Sequence, residues 1–257
     1  MKWVTRARPK TDRIACPWLI RRFIDPDAEI LYVPTNRVLA VAASEHAHSF
    51  DADGATYTHR FEPAPPGKSS GTLLLLHGTG GNENDLLPVG RAVAPDAALL
   101  SPRGRVLEHG MPRFFRRLAE GVFDHEDLVA RTHELADFVA ESAQRYGFDA
   151  GRVVAVGFSN GANVAASMML LRPETLAGAI LLRPMVPFEP KSPPDLRGRR
   201  ALVAASKADP IVKPENSERL AAILREAGAD VTLHWSPGGH TLDRADLTAA
   251  AAWWRQE

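Results

Sequence analysis

The chain is predicted to fold as an α/β protein, a mostly parallel central sheet with helices on both faces. Three observations predict it. Short apolar runs recur at Thr72–Leu76, Ala97–Leu100, Val153–Gly157, Ala179–Leu182, Ala201–Ala205 and Val231–Trp235. Such runs suit strands buried on both faces, which is the condition of strands in a parallel sheet. Helical patterns lie between the runs, and strand alternating with helix implies that sheet topology. Third, the residue types that carry chemistry fall just past the carboxyl ends of the predicted strands, where loops of an open parallel sheet bind ligands.

The helices follow from periodicity. Asp127 to Tyr146 sets Leu128, Leu135, Phe138 and Val139 on one stripe, the pattern of a helix packed on a core. Asn160 to Leu171 is rich in Ala and Leu and should be a largely buried helix. Pro214 to Ala227 and Asp243 to Trp254 continue the alternation, while Pro63 to Ser70 reads as an irregular connection.

Composition narrows the function classes. A length of 257 residues suits one medium domain with a small appendage. Basic and acidic residues balance at 31 each, so no overall field draws nucleic acid or anionic lipid. No apolar stretch reaches the ~20 residues that span a bilayer, so no membrane partner is expected. The opening Met1-Lys2-Trp3-Val4-Thr5-Arg6 has charge but no following apolar core, unlike a secretory signal. The single cysteine, Cys16, fits a reducing compartment. The expectation is a cytoplasmic protein.

Gly157-Phe158-Ser159-Asn160-Gly161 directly follows the apolar run at Val153. A strand running into G-x-S-x-G and then a small-residue helix is the sequence form of a nucleophile elbow, in which a sharp turn projects the serine hydroxyl from the sheet. The glycines are needed because neighbouring chain passes too close for a β-carbon. A serine hydroxyl is a weak nucleophile without a base, so a histidine is required. The strand at Ala201 runs into Ser206-Lys207-Ala208-Asp209-Pro210, and the strand at Val231 into Ser236-Pro237-Gly238-Gly239-His240. Ser159 would attack an acyl carbonyl, His240 would take and return the proton, and Asp209 would hold the imidazole tautomer. Leu75-Leu76-His77-Gly78-Thr79-Gly80-Gly81 supplies the turn after an early strand. The backbone N–H groups of Thr79 and Asn160 are the expected oxyanion donors. This chemistry needs no cofactor and no metal. Singly, each piece also has a bland reading, as a glycine-rich packing loop, a loop histidine or a turn-forming aspartate. Jointly, in chain order and at strand ends, they favour an enzyme.

From Tyr57 onward the chain resembles the carboxylesterase/phospholipase branch of the α/β-hydrolases, small serine esterases without a large cap domain. The likeness is carried by His59 to Pro63, Leu73 to Pro88, Leu100 to Gly104, Gly110 to Arg117, Gly157 to Asn163, Ala208 to Val212 and Gly238 to His240, and it covers about four-fifths of the chain. It implies the α/β-hydrolase fold and hydrolysis of small or medium acyl esters by Ser159, Asp209 and His240. Some members of the family are linked to detoxifying quinones or other xenobiotics. The related dienelactone hydrolases would carry cysteine at the nucleophile, so serine here argues for ordinary ester substrates.

Met111-Pro112-Arg113-Phe114-Phe115-Arg116-Arg117 occupies a long connection. Phe114 and Phe115, with Met185 and Phe188 after a later strand, are candidates to line the acyl pocket. The other reading is that the aromatics anchor the loop onto the sheet. The four nearby arginines either meet a substrate carboxylate or are simply solvated.

Residues 1–56 stand apart from the esterase pattern of 57–257. Trp3 to Arg6 and Asp12 to Pro26 resemble the opening of the carboxyl-terminal domain of chromate-resistance regulatory proteins, as a truncated module fused upstream. A short strand, a helix entered at Pro17, a strand at Glu29–Val33 and a short helix at Val38–Ser44 are expected. So small a piece buries little core, so it is expected to lean on the hydrolase or on a second subunit, which leaves a homodimer open. Cys16 before Pro17 would sit at a helix start, where a thiolate is stabilised. With His46, His48 and His59 it is either a soft-metal or oxyanion sensor, or a structural cysteine among surface histidines. Two rival functions follow: a metal- or oxidant-responsive binding module using the hydrolase as scaffold, and dinucleotide binding through Gly78-Thr79-Gly80-Gly81. The latter frame fails at Glu83, where glycine is required.

Overall fold

Leu73 to Leu76 are completely buried, and the pleat of their strand sends alternate side chains into two different cores. Leu73 and Leu75 join Val154, Val156, Ile180, Leu182 and Leu202 in one cluster. Leu74 and Leu76 join Val153, Ala155, Leu181 and Val203 in the other. A sheet with an apolar core on each face follows. The computed structural model describes residues 1–6, 16–33, 38–49, 57–68 and 71–256.

Within residues 1–49, β1 (Lys2–Arg6) pairs in parallel with β2 (Glu29–Val33) and β3 (His48–Ser49), with α1 (Val38–Ser44) packed on β1. A helical turn over 16–19 continues as a π-helix at Ile20–Ile24. The larger body begins with β4 (His59–Glu62), β5 (Thr72–Leu76), α2 (Leu87–Val93) and β6 (Ala98–Pro102). Two hairpins follow, β7 (Val106–Glu108) with β8 (Met111–Arg113), and β9 (Arg117–Ala119) with β10 (Val122–Phe123). The chain goes on through α3 (His125–Tyr146), β11 (Val153–Phe158), α4 (Asn160–Leu171), β12 (Gly178–Leu182), β13 (Arg200–Ser206), α5 (Pro214–Glu226), β14 (Asp230–Ser236) and α6 (Arg244–Trp254). The seven-stranded sheet has the order β14-β13-β12-β11-β5-β6-β4. Only β4 runs antiparallel, against β6. α3, α4 and α5 cover one face and α2 and α6 the other, which is the doubly covered α/β architecture expected from the sequence.

The six apolar runs become β5, β6 and β11 to β14, with ends within two residues of expectation. Several elements were not anticipated, among them α2, β3, β4 and the two hairpins. α2 carries Pro88 in its first turn and Gly90 inside, residues that read as a loop. Gly90 is there because a β-carbon would stand 3.0 Å from both Leu75 and Leu99. The hairpins are only two or three residues a strand, too short for a periodic signal. The β7–β8 turn is His109-Gly110, both at positive φ (50° and 81°), the conformation a two-residue hairpin turn requires. Pro63 to Lys68 form no regular element. Residues 69–70 of that expected connection lie outside the described residues, as do residues 50–56 before the expected domain boundary.

The tightest packing is at the turn after β11. A β-carbon on Gly157 would lie 2.5 Å from the Gly161 oxygen, and one on Gly161 would lie 1.9 Å from the Leu76 oxygen. Both obstacles are backbone and cannot rotate away. Gly161→Ala is therefore expected to cost about 3 kcal/mol or more, at the top of the range for overpacking. A urea midpoint within error of wild type would contradict this packing.

Candidate active site

Phe158 ends β11 and Asn160 starts α4, so Ser159 alone makes the turn between them. It sits at φ 51°, ψ −114°, a conformation costly for a residue with a β-carbon. It is held from both sides: its N–H donates to the Leu182 carbonyl (2.9 Å), and its carbonyl accepts from Asn163 N–H (3.0 Å). The result is a half-buried serine at the amino end of a buried helix.

His240 and Asp209 reach this serine from the loops after β14 and β13. His240 Nε2 lies 2.9 Å from Ser159 Oγ and His240 Nδ1 lies 2.8 Å from Asp209 Oδ2. The second contact fixes the tautomer: Nδ1–H donates to the carboxylate and Nε2 faces the hydroxyl. The Asp209 side chain is only 1% exposed, against 18% for His240. Its other oxygen accepts from Ile211 N–H (2.8 Å) and Val212 N–H (3.0 Å), so the carboxylate cannot swing away. Phe158 packs on the imidazole, ring centres 5.5 Å apart.

The turn after β5 faces the same end of the sheet. Gly80 N–H donates to Pro112 O (2.9 Å) and Gly81 N–H to Gly78 O (3.1 Å). Among the described residues no acceptor takes the Thr79 N–H or the Asn160 N–H, the second lying in the first turn of α4. The expected oxyanion donors are thus open. Gly78 is pressed on Phe158, whose ring a β-carbon would meet at 2.9 Å. His77 is buried and bridges two loops, with Nδ1 on the Gly78 oxygen (2.7 Å) and Nε2 accepting from Gly104 N–H (2.9 Å). Glu83, the residue that spoils a dinucleotide frame, makes a two-pronged ion pair with Arg103 (2.5 and 2.7 Å). The Arg103 guanidinium holds its carboxyl below the usual carboxylate range. That stretch is a braced loop, not a phosphate cradle.

The aromatic pair is placed differently from the pocket-lining reading. Phe114 and Phe115 are 1% and 0% exposed and belong to the core. Phe114 packs on the His77 ring (4.8 Å) and Phe115 edge-on to Phe123 (5.1 Å). The loop-anchoring reading describes both; neither offers surface to a ligand, because both are packed into the core cluster on one face of the sheet. Phe188 is half-buried with its ring 5.4 Å from His125, and Met185 is half-buried. The exposed Met111 stands beside Gly80 and Met185 beside Gly121, which puts thioethers on the hairpin side of the site. The nearby arginines all have carboxylate partners within the chain: Arg105 with Glu134 (3.7 Å), Arg113 (2.8 Å) and Arg117 (2.9 Å) with Glu108, and Arg116 with Asp124 (3.0 Å).

Several side chains that shape the site gave no sequence signal of that role. Asn160 Oδ1 accepts from Phe114 N–H (2.8 Å), Asn163 Oδ1 from Met185 N–H (2.7 Å) and Asn216 Oδ1 from Val186 N–H (2.7 Å). Arg183, completely buried after β12, binds the loop that carries His240. Cys16 is half-buried at the start of its helical turn. His48 lies against Trp3 (5.0 Å), and His59 is engaged by the Tyr57 oxygen (2.6 Å) and Tyr146 hydroxyl (2.7 Å). Among the described residues, no group of three or more His, Cys, Asp or Glu is arranged to hold a metal ion. No helix among them is long and apolar enough to cross a membrane.

Residues 63–255 match the family model for phospholipase/carboxylesterase. The chain belongs to that family. It is a hydrolase with the α/β-hydrolase fold. MhqD of Bacillus subtilis (strain 168) is 52% identical over 190 residues, covering 74% of this chain and 95% of MhqD. The crystal structure of the Bacillus cereus carboxylesterase matches with a TM-score of 0.76 at 44% identity, covering 85% of this chain and 98% of that one. Residues 3–65 match the model for the C-terminal domain of ChrB. Protein ChrB of Cupriavidus metallidurans (strain CH34) is 48% identical over 58 residues, and the match spans only 17% of ChrB.

Burial pushes the His77 imidazole below its ordinary value of 6.5. The folded protein keeps His77 neutral where the unfolded chain takes up a proton. Its contribution to stability is therefore complete above pH 6.5 and is lost as pH falls through the lowered value. Urea midpoints at about pH 8 and about pH 5 should differ less in His77→Gln than in wild type, since Gln Oε1 can accept from Gly104 N–H without titrating. Equal differences in the two proteins would contradict the bridging role.

Proposed function

We propose that the protein is a serine carboxylesterase in which Ser159, His240 and Asp209 form the catalytic triad. The observation that carries this reading is the unbroken chain from Ser159 Oγ through the imidazole to Asp209, at 2.9 and 2.8 Å, starting from a strained strand-to-helix turn. Ser159 Oγ attacks the acyl carbonyl as its proton passes to His240 Nε2. Asp209 stabilises the imidazolium through Nδ1–H. The carbonyl oxygen, now negative, accepts from the Thr79 and Asn160 N–H groups. The intermediate collapses, Nε2–H protonates the departing alcohol, and an acyl-enzyme is left on Ser159. Water, deprotonated by the same nitrogen, then releases the acid. No cofactor enters any step.

The substrates are small or medium acyl esters. The hairpins beside the site are too short to make a large lid, and Met111 and Met185 offer apolar, adaptable surface. Because the neighbouring arginines are already paired, a carboxylate on the substrate finds no ready partner among them. We assign residues 57–257 to the esterase and 1–56 to a separate amino-terminal unit.

A fluorophosphonate probe should label the wild-type protein and not Ser159→Ala, and that substitution should lower kcat by about 10⁴-fold or more. Undiminished labelling or turnover in Ser159→Ala would end the reading. On p-nitrophenyl esters of increasing acyl length, butyrate should turn over faster than palmitate. The reverse order would place the substrate among long-chain lipids.

A further inference from the structure

Arg183 follows β12 directly, at φ 55°, and its side chain and that of Asp246 are both 0% exposed. Nη1 and Nη2 donate to the two Asp246 oxygens (2.9 and 2.7 Å). The remaining donors reach three other segments: Nη1 to Ala204 O (3.3 Å), Nη2 to Ser236 Oγ (2.8 Å) and Thr241 O (3.2 Å), and Nε to Gly239 O (2.8 Å). Gly239 and Thr241 flank His240 on either side. Asp246 is also fixed in its own right, since it and Asp243 cap the start of α6 reciprocally (2.9 and 3.0 Å).

We propose that the buried Arg183–Asp246 pair is the positioning device of the His240 imidazole, clamping the carbonyls before and after it so that Nε2 points at Ser159. The proposal rests on the triad reading above. The loop from Pro237 to Leu242 contains no helix or strand, and Gly238 and Gly239 give its backbone wide freedom. Something must hold it, because misplacing a catalytic group by ~1 Å can cost ~10²-fold in rate. A fully buried ion pair is poor evidence for stability, as apolar residues of similar volume often serve the fold as well or better. What they could not do is donate to two carbonyls at once. The planar fork of arginine does so, and a lysine ammonium, a single point of charge, does not.

The test separates holding the fold from aiming the base. Removing one partner would leave a buried charge unpaired, so both are replaced together in Arg183→Met/Asp246→Leu. This variant should melt within a few degrees of wild type and keep KM for p-nitrophenyl butyrate. Its kcat and its rate of fluorophosphonate labelling should both fall, by about 10²-fold. A folded double variant with wild-type kcat overturns the proposal. If the double variant does not fold, Arg183→Lys decides on the same readout: lowered kcat at unchanged KM supports the clamp, and full kcat refutes it. His240→Ala is the control. Wild-type turnover in that variant would refute the triad itself and the clamp with it, whereas its loss beside an unaffected double variant would refute the clamp alone.

Discussion

The carbonyl of Leu76 and the backbone of Gly161 approach so closely that no side chain fits between them. That contact joins the end of β5 to the first turn of α4, and the site depends on it. It draws the helix up against the sheet and leaves a single residue, Ser159, to complete the turn from β11. A residue in such a conformation costs on the order of 1–3 kcal/mol and persists only where its surroundings over-determine it. Here the surroundings are a strand paired on both sides, with Ala155 opposite Leu74 and Ala179, a hydrogen bond to Leu182 and two glycines backed by backbone. Strain at the serine is the by-product of close packing, and its consequence is a half-buried hydroxyl held at the helix amino terminus within reach of His240.

Everything beyond the strand ends is irregular chain, and irregular chain near a core has backbone donors and acceptors with no ladder to join. This protein satisfies them with buried and half-buried polar side chains. Asn160, Asn163 and Asn216 each accept one loop N–H, His77 accepts that of Gly104, and Ser206 Oγ accepts that of Ala208 while donating to Gly238 O. Each contact joins a loop to an element of the rigid frame or to another loop. The three residues that read as catalytic lie on three such loops, so the precision of the site comes as much from these side chains as from the sheet.

The amino-terminal unit is built on a smaller scale. Its buried apolar residues among those described are few, Val4, Val38 and Ala42 forming one cluster with Leu31 and Val33 against it. Trp18, Phe23 and Ile24 are largely exposed. Its three parallel strands recruit residues from both ends of the segment, so the loop-closure cost is met by little buried area. The larger body has two cores, each spanning several strands and helices. Stability in this chain is therefore concentrated in the part that bears the esterase motifs.

How much of this was legible beforehand depended on whether the signal was local. β5 and β11 to β13 showed as apolar runs because both their faces are buried, whereas β14 lies at the sheet edge with only Ser236 buried. Ser159, Asp209 and His240 showed because each follows a predicted strand. Phe114 and Phe115 read equally as pocket lining or as loop anchors, because sequence carries no sign of which way a ring points, and they turned into the core. α2 was hidden by Pro88 and Gly90, whose meaning is set by Leu75 and Leu99 on strands elsewhere. Arg183 is the extreme case. Its partners lie 21 to 63 residues further along the chain, and one of them, Asp246, reads by itself as a helix-start residue and nothing more. Hydrophobic pattern reports which face a residue turns to the core; it does not report which distant carbonyls a buried guanidinium will find there. Ser159, Asp209 and His240 each sit in a turn just past a strand end, a local signal, whereas Arg183 is defined by contacts far along the chain, so the former were readable in this sequence and the latter was not.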